Sequence, residues 1–86
     1  MAVNLQLRAE LPEDAIVFDS MSYDGSIVGV TIDDRVVYDY DKMVEELMED
    51  EGWSYEDATE WINYNTIRAL PYLGENAPII MYTLQI

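Results

Sequence analysis

The sequence predicts a small α+β domain in which a two-helix hairpin packs on one face of a small antiparallel sheet. The chain has 86 residues, half of them hydrophobic, so it can form one compact domain (1–86) despite a net charge of −14. β-branched runs bounded by turn residues predict a β-hairpin and a C-terminal strand. Between them, helical spacing with capping residues predicts two helices. Helices packed on one side of an antiparallel sheet are typical of the α+β class.

The β-hairpin is predicted by two β-branched segments, "SIVGVTI" at 26–32 and "RVVYDY" at 35–40. Asp33 and Asp34 between them can form a tight loop. Gly29 in mid-strand indicates a bulge or a close backbone approach. Upstream, "AIVFDS" at 15–20 is strand-like, and the alternating segment at 3–8 is either an edge strand or part of a loose leader over 1–14.

The helix pair is predicted from its caps as well as its spacing. Asp39 is a good N-cap for a helix at Tyr40–Glu51, and Gly52 suits the left-handed residue that ends it. Ser54 then caps a second helix. The side chains expected to point inward from this region are Leu47, Met48, Trp53, Ala58 and Trp61.

Pro71 is expected to end the second helical pattern, because proline disfavours helix at the residue before it. A loop should follow at 71–78. The segment "IIMYTLQI" at 79–86 is rich in β-branched and aromatic residues, which predicts a final strand in a central or well-covered position.

The charge is concentrated in one quarter of the chain. Residues 39–60 hold ten acids and one base, whereas residues 61–86 hold one of each. Anionic membranes and nucleic acid would repel such a chain, so we expect neither as a partner and instead expect a basic protein surface. The absence of cysteine, of a membrane span and of a secretory signal favours the cytoplasm.

The acids of the first helix form ridges that disfavour the helix itself. Asp41, Glu45 and Glu49 are spaced i, i+4, i+8, and like charges at this spacing destabilise a helix by about 0.2–0.5 kcal/mol per pair. Carboxylates in such rows can imitate the phosphates of DNA and compete for a basic groove. The residues predicted to bind a partner are Asp41, Glu45, Glu46, Glu49, Asp50, Glu56, Asp57 and Glu60.

Other interpretations stay open. The acids can simply solvate a small adaptor or structural protein that self-associates, as a homodimer for example, through apolar and aromatic surface. Trp53, Tyr55, Trp61, Tyr64 and Tyr72 then form either core edge or an interface anchor. We expect no enzyme, no cofactor and no metal site, because no catalytic motif is present. The segment "SMSYDGSIVGVT" lacks the final glutamate of an EF-hand loop.

Residues 24–82 resemble a group of short acidic proteins of uncharacterised function found in bacterial genomes, their phages and mobile elements. The segments that support the resemblance are "VYDYDKM", "EDATEWINYNTIRALPY" and "APIIMY". The group supplies no catalytic or binding motif, so no site residue follows from it. Small acidic phage proteins include inhibitors of host defence, such as anti-CRISPR and anti-restriction proteins. The resemblance therefore favours an inhibitor that acts in the host cytoplasm against a nuclease or its guide complex.

Overall fold

The computed structural model describes residues 11–12, 15–18 and 21–84, and these residues form an α+β domain. The strand or leader expected within 1–14 lies almost wholly outside the described residues. The elements in chain order are a 3₁₀ helix Met21–Ser26, strands β1 (Ile27–Val30) and β2 (Val36–Asp39), helices α1 (Tyr40–Glu51) and α2 (Tyr55–Trp61), a π-helical turn Ile62–Thr66, a 3₁₀ helix Ile67–Tyr72, and strand β3 (Ile79–Met81).

Strands β1 and β2 form the predicted antiparallel hairpin. The Thr31 N–H donates to the Arg35 carbonyl at 2.8 Å, and the Thr31 hydroxyl accepts from the Arg35 N–H at 3.0 Å. Asp34 adopts a left-handed φ of 64° in the loop, a conformation that aspartate tolerates better than most residues. The pairing register shifts between Ile27 and Gly29. Among the described residues, no atom beyond its chain neighbours lies within 4 Å of a Cβ placed on Gly29. Of the two predicted alternatives, the structure therefore agrees with a bulge rather than a close backbone approach.

Strand β3 corrects the predicted antiparallel sheet, because it pairs parallel to β2. The chain leaves the end of β2 through two helices and returns to start β3 beside the start of β2. Only such a long crossover can join parallel neighbours. In the described residues the strand order is β1-β2-β3. Strand β2 is therefore the central strand. Strand β3 was expected to be central or well covered, but it lies at an edge of the described sheet.

The core lies between the sheet and α1. Val36 and Tyr38 of β2 are fully buried, as is Met43 of α1. Tyr38 pairs with Ile27 and Ile80, and both pack against the same core cluster. One face of the sheet therefore meets the helices, as predicted.

Two local expectations are wrong. Pro71 lies inside the 3₁₀ helix Ile67–Tyr72 rather than ending the pattern before it. Proline has a fixed φ that suits helical backbone, and a short 3₁₀ segment has few N–H groups to lose. Residues 15–18 form no strand. Phe18 still joins the core, where its N–H donates to the Tyr38 hydroxyl at 3.1 Å.

Candidate protein-binding surface

Helix α1 is fixed at both ends by the residues that the sequence indicates. The Asp39 carboxylate accepts from the N–H groups of Asp41 at 3.0 Å and Lys42 at 3.4 Å. It also accepts from the Thr83 hydroxyl, and that bond is the main reason that the pKa of Asp39 is lowered. Gly52 ends the helix with φ 70°, and its N–H donates to the Met48 carbonyl. Both predicted caps are confirmed.

The outer side of α1 presents a row of three carboxylates. Asp41, Glu45 and Glu49 are exposed, and we call them the acidic ridge. Successive members lie four residues apart, which is about 6 Å along a helix axis. Met43, Val44 and other residues on the opposite side of α1 are buried in the core. Their packing leaves the acidic ridge facing solvent.

Glu46, predicted to lie on an outer ridge, is only 3% exposed. The 3₁₀ helix Met21–Ser26 packs against α1 and covers this side of the helix. The Glu46 Oε2 atom has no hydrogen-bond partner among the described atoms. Burial, with further contributions from the carboxylates of Asp50, Glu49 and Asp24, raises the pKa of Glu46 to about 7. Glu46 is therefore excluded from the exposed acidic surface.

A cavity of about 500 Å³ lies beside this part of α1, lined in part by Gly25, Lys42 and Met48 together with three glutamates. Met48, predicted to point inward, is 37% exposed. Lys42 is the one basic residue between positions 39 and 60.

Asp50, the remaining predicted acid of α1, is exposed near the C-terminal end of the helix.

Helix α2 adds three more exposed acids, Glu56, Asp57 and Glu60. The Ser54 hydroxyl accepts from the Asp57 N–H at 3.1 Å, which confirms the predicted N-cap. Glu56 and Asp57 lie in the first turn, where the helix dipole favours negative charge. Seven of the eight predicted acids are therefore exposed, on two helices that contact each other.

Beside α2 is a recess that the sequence analysis did not identify, although it left open an interface anchor formed by aromatic residues of this region. Trp61 was expected to point inward but is 46% exposed, and its ring lies 5.5 Å from that of half-buried Trp53. The recess measures about 430 Å³. A signal for it was present, because five of its residues recur at the i, i+3, i+4, i+7, i+8 spacing of one helix face. We call it the aromatic notch; its residues are Trp53, Asp57, Glu60, Trp61, Tyr64 and Asn65.

The described residues give no independent indication of a metal or membrane site. They contain no group of three or more acidic, histidine or cysteine side chains placed to hold a metal ion. None of their helices has the length and apolar character needed to cross a bilayer. Comparisons of the chain with protein-family models, curated proteins and solved structures found no match.

Proposed function

We propose that the protein is an inhibitor that binds a basic, nucleic-acid-binding groove of a partner protein through the exposed acids of α1 and α2. The observation that supports this most is the acidic ridge, because its three carboxylates are exposed on a helix whose opposite side is held by the core. Duplex DNA presents one charge per roughly 1.7 Å of its axis. The two helices contact each other and carry eight exposed carboxylates, Glu51 included, which are acceptors for arginine and lysine.

The electrostatics of α1 support the same proposal. Glu49, Asp50 and Glu51 lie at the C-terminal end of the helix, where the dipole favours cations. No basic residue lies in that last turn. A basic partner would add positive charge at this end of the helix, and the complex would form quickly and weaken with salt.

The proposed setting is the bacterial cytoplasm, with a host nuclease or its guide complex as the partner. This assignment comes from the resemblance of residues 24–82 to small phage and mobile-element proteins. In it the protein performs no chemical step. It occupies the groove and excludes the nucleic acid.

The test uses a purified guide–nuclease complex and labelled duplex DNA, with fluorescence anisotropy as the readout. We expect the protein to displace the DNA, and the displacement to weaken as salt rises. The double variant Glu45→Gln, Glu49→Gln should compete about tenfold more weakly, as expected for the loss of two charge-assisted contacts.

The matched control is the double variant Asp34→Asn, Glu75→Gln. It removes the same charge from exposed positions outside the helices, and Asn also tolerates the left-handed φ of Asp34. It should compete like the wild type. Equal competition by both double variants, or a flat salt dependence, would contradict binding through the ridge.

A second function, self-association through apolar surface, is favoured by one observation on the hairpin. Val28 and Val30 on β1 are 43% and 41% exposed, and Ile32 in the loop is fully exposed. In the described part of the sheet β1 is an edge strand, and apolar edges are common sites of strand pairing. A dimer that persists in high salt and is lost in Ile32→Lys, measured by sedimentation, would support this function over the inhibitor.

A further inference from the structure

We propose that the aromatic notch is a binding site for one arginine side chain of the partner. The proposal rests on the proposed function in taking the partner to be a basic protein, and it identifies which chemical group the notch binds. The occupant would be a guanidinium held between indole rings and carboxylates.

The lining of the notch fits a flat organic cation. The ring centroids of Trp53 and Trp61 lie 5.5 Å apart, and the ring planes are inclined at 57°. The Tyr64 side chain is 63% exposed. Aromatic rings of this kind attract cations over their π faces, within about 6 Å of the ring centre. Asp57 and Glu60 add two carboxylates on the same helix face. Neither the rings nor the acids alone would select a cation as strongly as the combination.

The helix geometry explains why these side chains converge. Asp57, Glu60 and Trp61 lie on α2, and the π-helical turn follows at once, with the Ile67 N–H donating to the Ile62 carbonyl five residues back. Such turns are frequent at functional sites. The Asn65 amide donates to the Trp61 carbonyl at 3.1 Å, so its side chain lies back along the same face.

The chain itself already contains one contact of the proposed kind. The guanidinium carbon of Arg68 lies 5.9 Å from the centre of the Tyr64 ring. Even with this charge counted, Asp57 and Glu60 leave the surroundings of the notch with a net negative charge. The ring of Tyr64 thus has an orientation that accepts a guanidinium.

Arginine fits the notch better than lysine does. Its planar guanidinium stacks on aromatic rings and offers five donors, enough to contact two carboxylates at once. It is also less strongly hydrated than an ammonium group, so less water must be removed on binding. Arginine, tryptophan and tyrosine are the residues most enriched where binding energy is concentrated in interfaces.

The test uses the full chain and three capped tripeptides, acetyl-Gly-X-Gly-amide, with X as arginine, citrulline or lysine. Citrulline has the shape of arginine without its charge. The chain has two tryptophans, and both line the notch, so their indole N–H signals in NMR report on it directly. We expect saturable shifts of both signals with the arginine peptide, weaker binding of the lysine peptide and no binding of the citrulline peptide.

The variant Glu60→Gln should weaken binding of the arginine peptide by roughly fivefold, since one charge-assisted contact is lost. Glu75→Gln, an exposed acid outside the notch, should leave it unchanged. Equal binding of the citrulline or lysine peptide, or no effect of Glu60→Gln, would overturn the proposal.

The notch proposal and the inhibitor proposal can fail independently of each other. If the ridge variant loses competition with DNA while the arginine peptide leaves both indole signals unmoved, the notch proposal fails and the inhibitor proposal stands. If the arginine peptide binds the notch but the protein does not compete with DNA, the inhibitor proposal fails while a cation site in the notch is supported.

Discussion

Helices α1 and α2 are both acidic and both capped, but they are stabilised differently. Helix α1 buries five residues, Tyr40, Met43, Val44, Glu46 and Leu47, whereas α2 buries only Ala58. Three acids of α1, Glu49, Asp50 and Glu51, lie at its C-terminal end against the dipole, whereas Glu56 and Asp57 lie in the first turn of α2 with the dipole. The comparison indicates that the buried side chains of α1 compensate for its unfavourable charge. Helix α2 buries less and depends more on its N-cap.

The largest effect should come from the packing of α1. Met43 is fully buried, so Met43→Ala should lower the free energy of unfolding by about 2–5 kcal/mol, through lost burial and the cavity left behind. The matched change in α2 is Tyr55→Ala, at a side chain that is 60% exposed, and it should cost less than about 0.5 kcal/mol. Urea denaturation followed by circular dichroism measures both. Similar losses in the two variants would contradict the contrast.

The next effect concerns the buried carboxyl of α1. Burial, aided by nearby carboxylates, raises the pKa of Glu46 from 4.5 to about 7. A raised pKa stabilises the fold below the unfolded value of 4.5, and that contribution is lost as pH rises through 7. Relative to wild type, Glu46→Gln should therefore gain about 1–2 kcal/mol of stability between pH 5 and pH 8.

The control for Glu46 is its neighbour Glu45, which is exposed on the acidic ridge. Because its side chain is exposed, Glu45→Gln should change the free energy of unfolding by less than about 0.5 kcal/mol. Unfolding by urea at pH 5, 6.5 and 8 gives the comparison. A flat difference for Glu46→Gln would show that its carboxyl is solvated rather than buried.

A smaller contrast separates the two N-caps. Asp39→Ala should destabilise by about 1–2 kcal/mol, at the upper end for a cap, because Asp39 is 4% exposed and also accepts from Thr83. Ser54→Ala should cost about 1 kcal/mol or less, since Ser54 accepts a single N–H at an exposed position. Thermal unfolding ranks the two losses. The reverse order would mean that α2 contributes more to the fold than its burial indicates.

The smallest expected effect is a gain in the free energy of unfolding. Glu49→Lys places a cation near the end of α1, four residues after Glu45, and should stabilise the fold by about 0.5 kcal/mol. Under the proposed function, the same variant should compete more weakly with DNA for the guide–nuclease complex, because it reverses one charge of the acidic ridge. Opposite signs in unfolding and binding measurements are the expected result. A loss in stability would show that the ridge is not electrostatically strained.

The features that the sequence predicted are those set by neighbouring residues. The caps Asp39, Gly52 and Ser54 each act within four positions of the backbone groups they bind, so a local pattern is enough to identify them. The bulge at Gly29 is likewise a local feature, indicated by a single glycine within a β-branched segment. These local signals gave correct bounds for α1 and correct starts for both helices.

The features that the sequence interpretation missed depend on distant parts of the chain. Glu46 is buried because the 3₁₀ helix Met21–Ser26 covers that side of α1, and helical spacing cannot reveal which element does so. The direction of β3 depends on the path of the chain after α2. The outward position of Trp61 likewise reflects how little of α2 the core covers.

One junction determines how the acidic surface is oriented on the fold. Strand β2 ends at Asp39 and α1 begins at Tyr40, with no residue between them. The axis of α1 is therefore fixed by the central strand, and the carboxylates lie on backbone that is already ordered before any encounter. Association then requires little loss of backbone entropy, only the settling of side-chain rotamers. A surface presented in this way favours slow dissociation even where each single charge contact is weak.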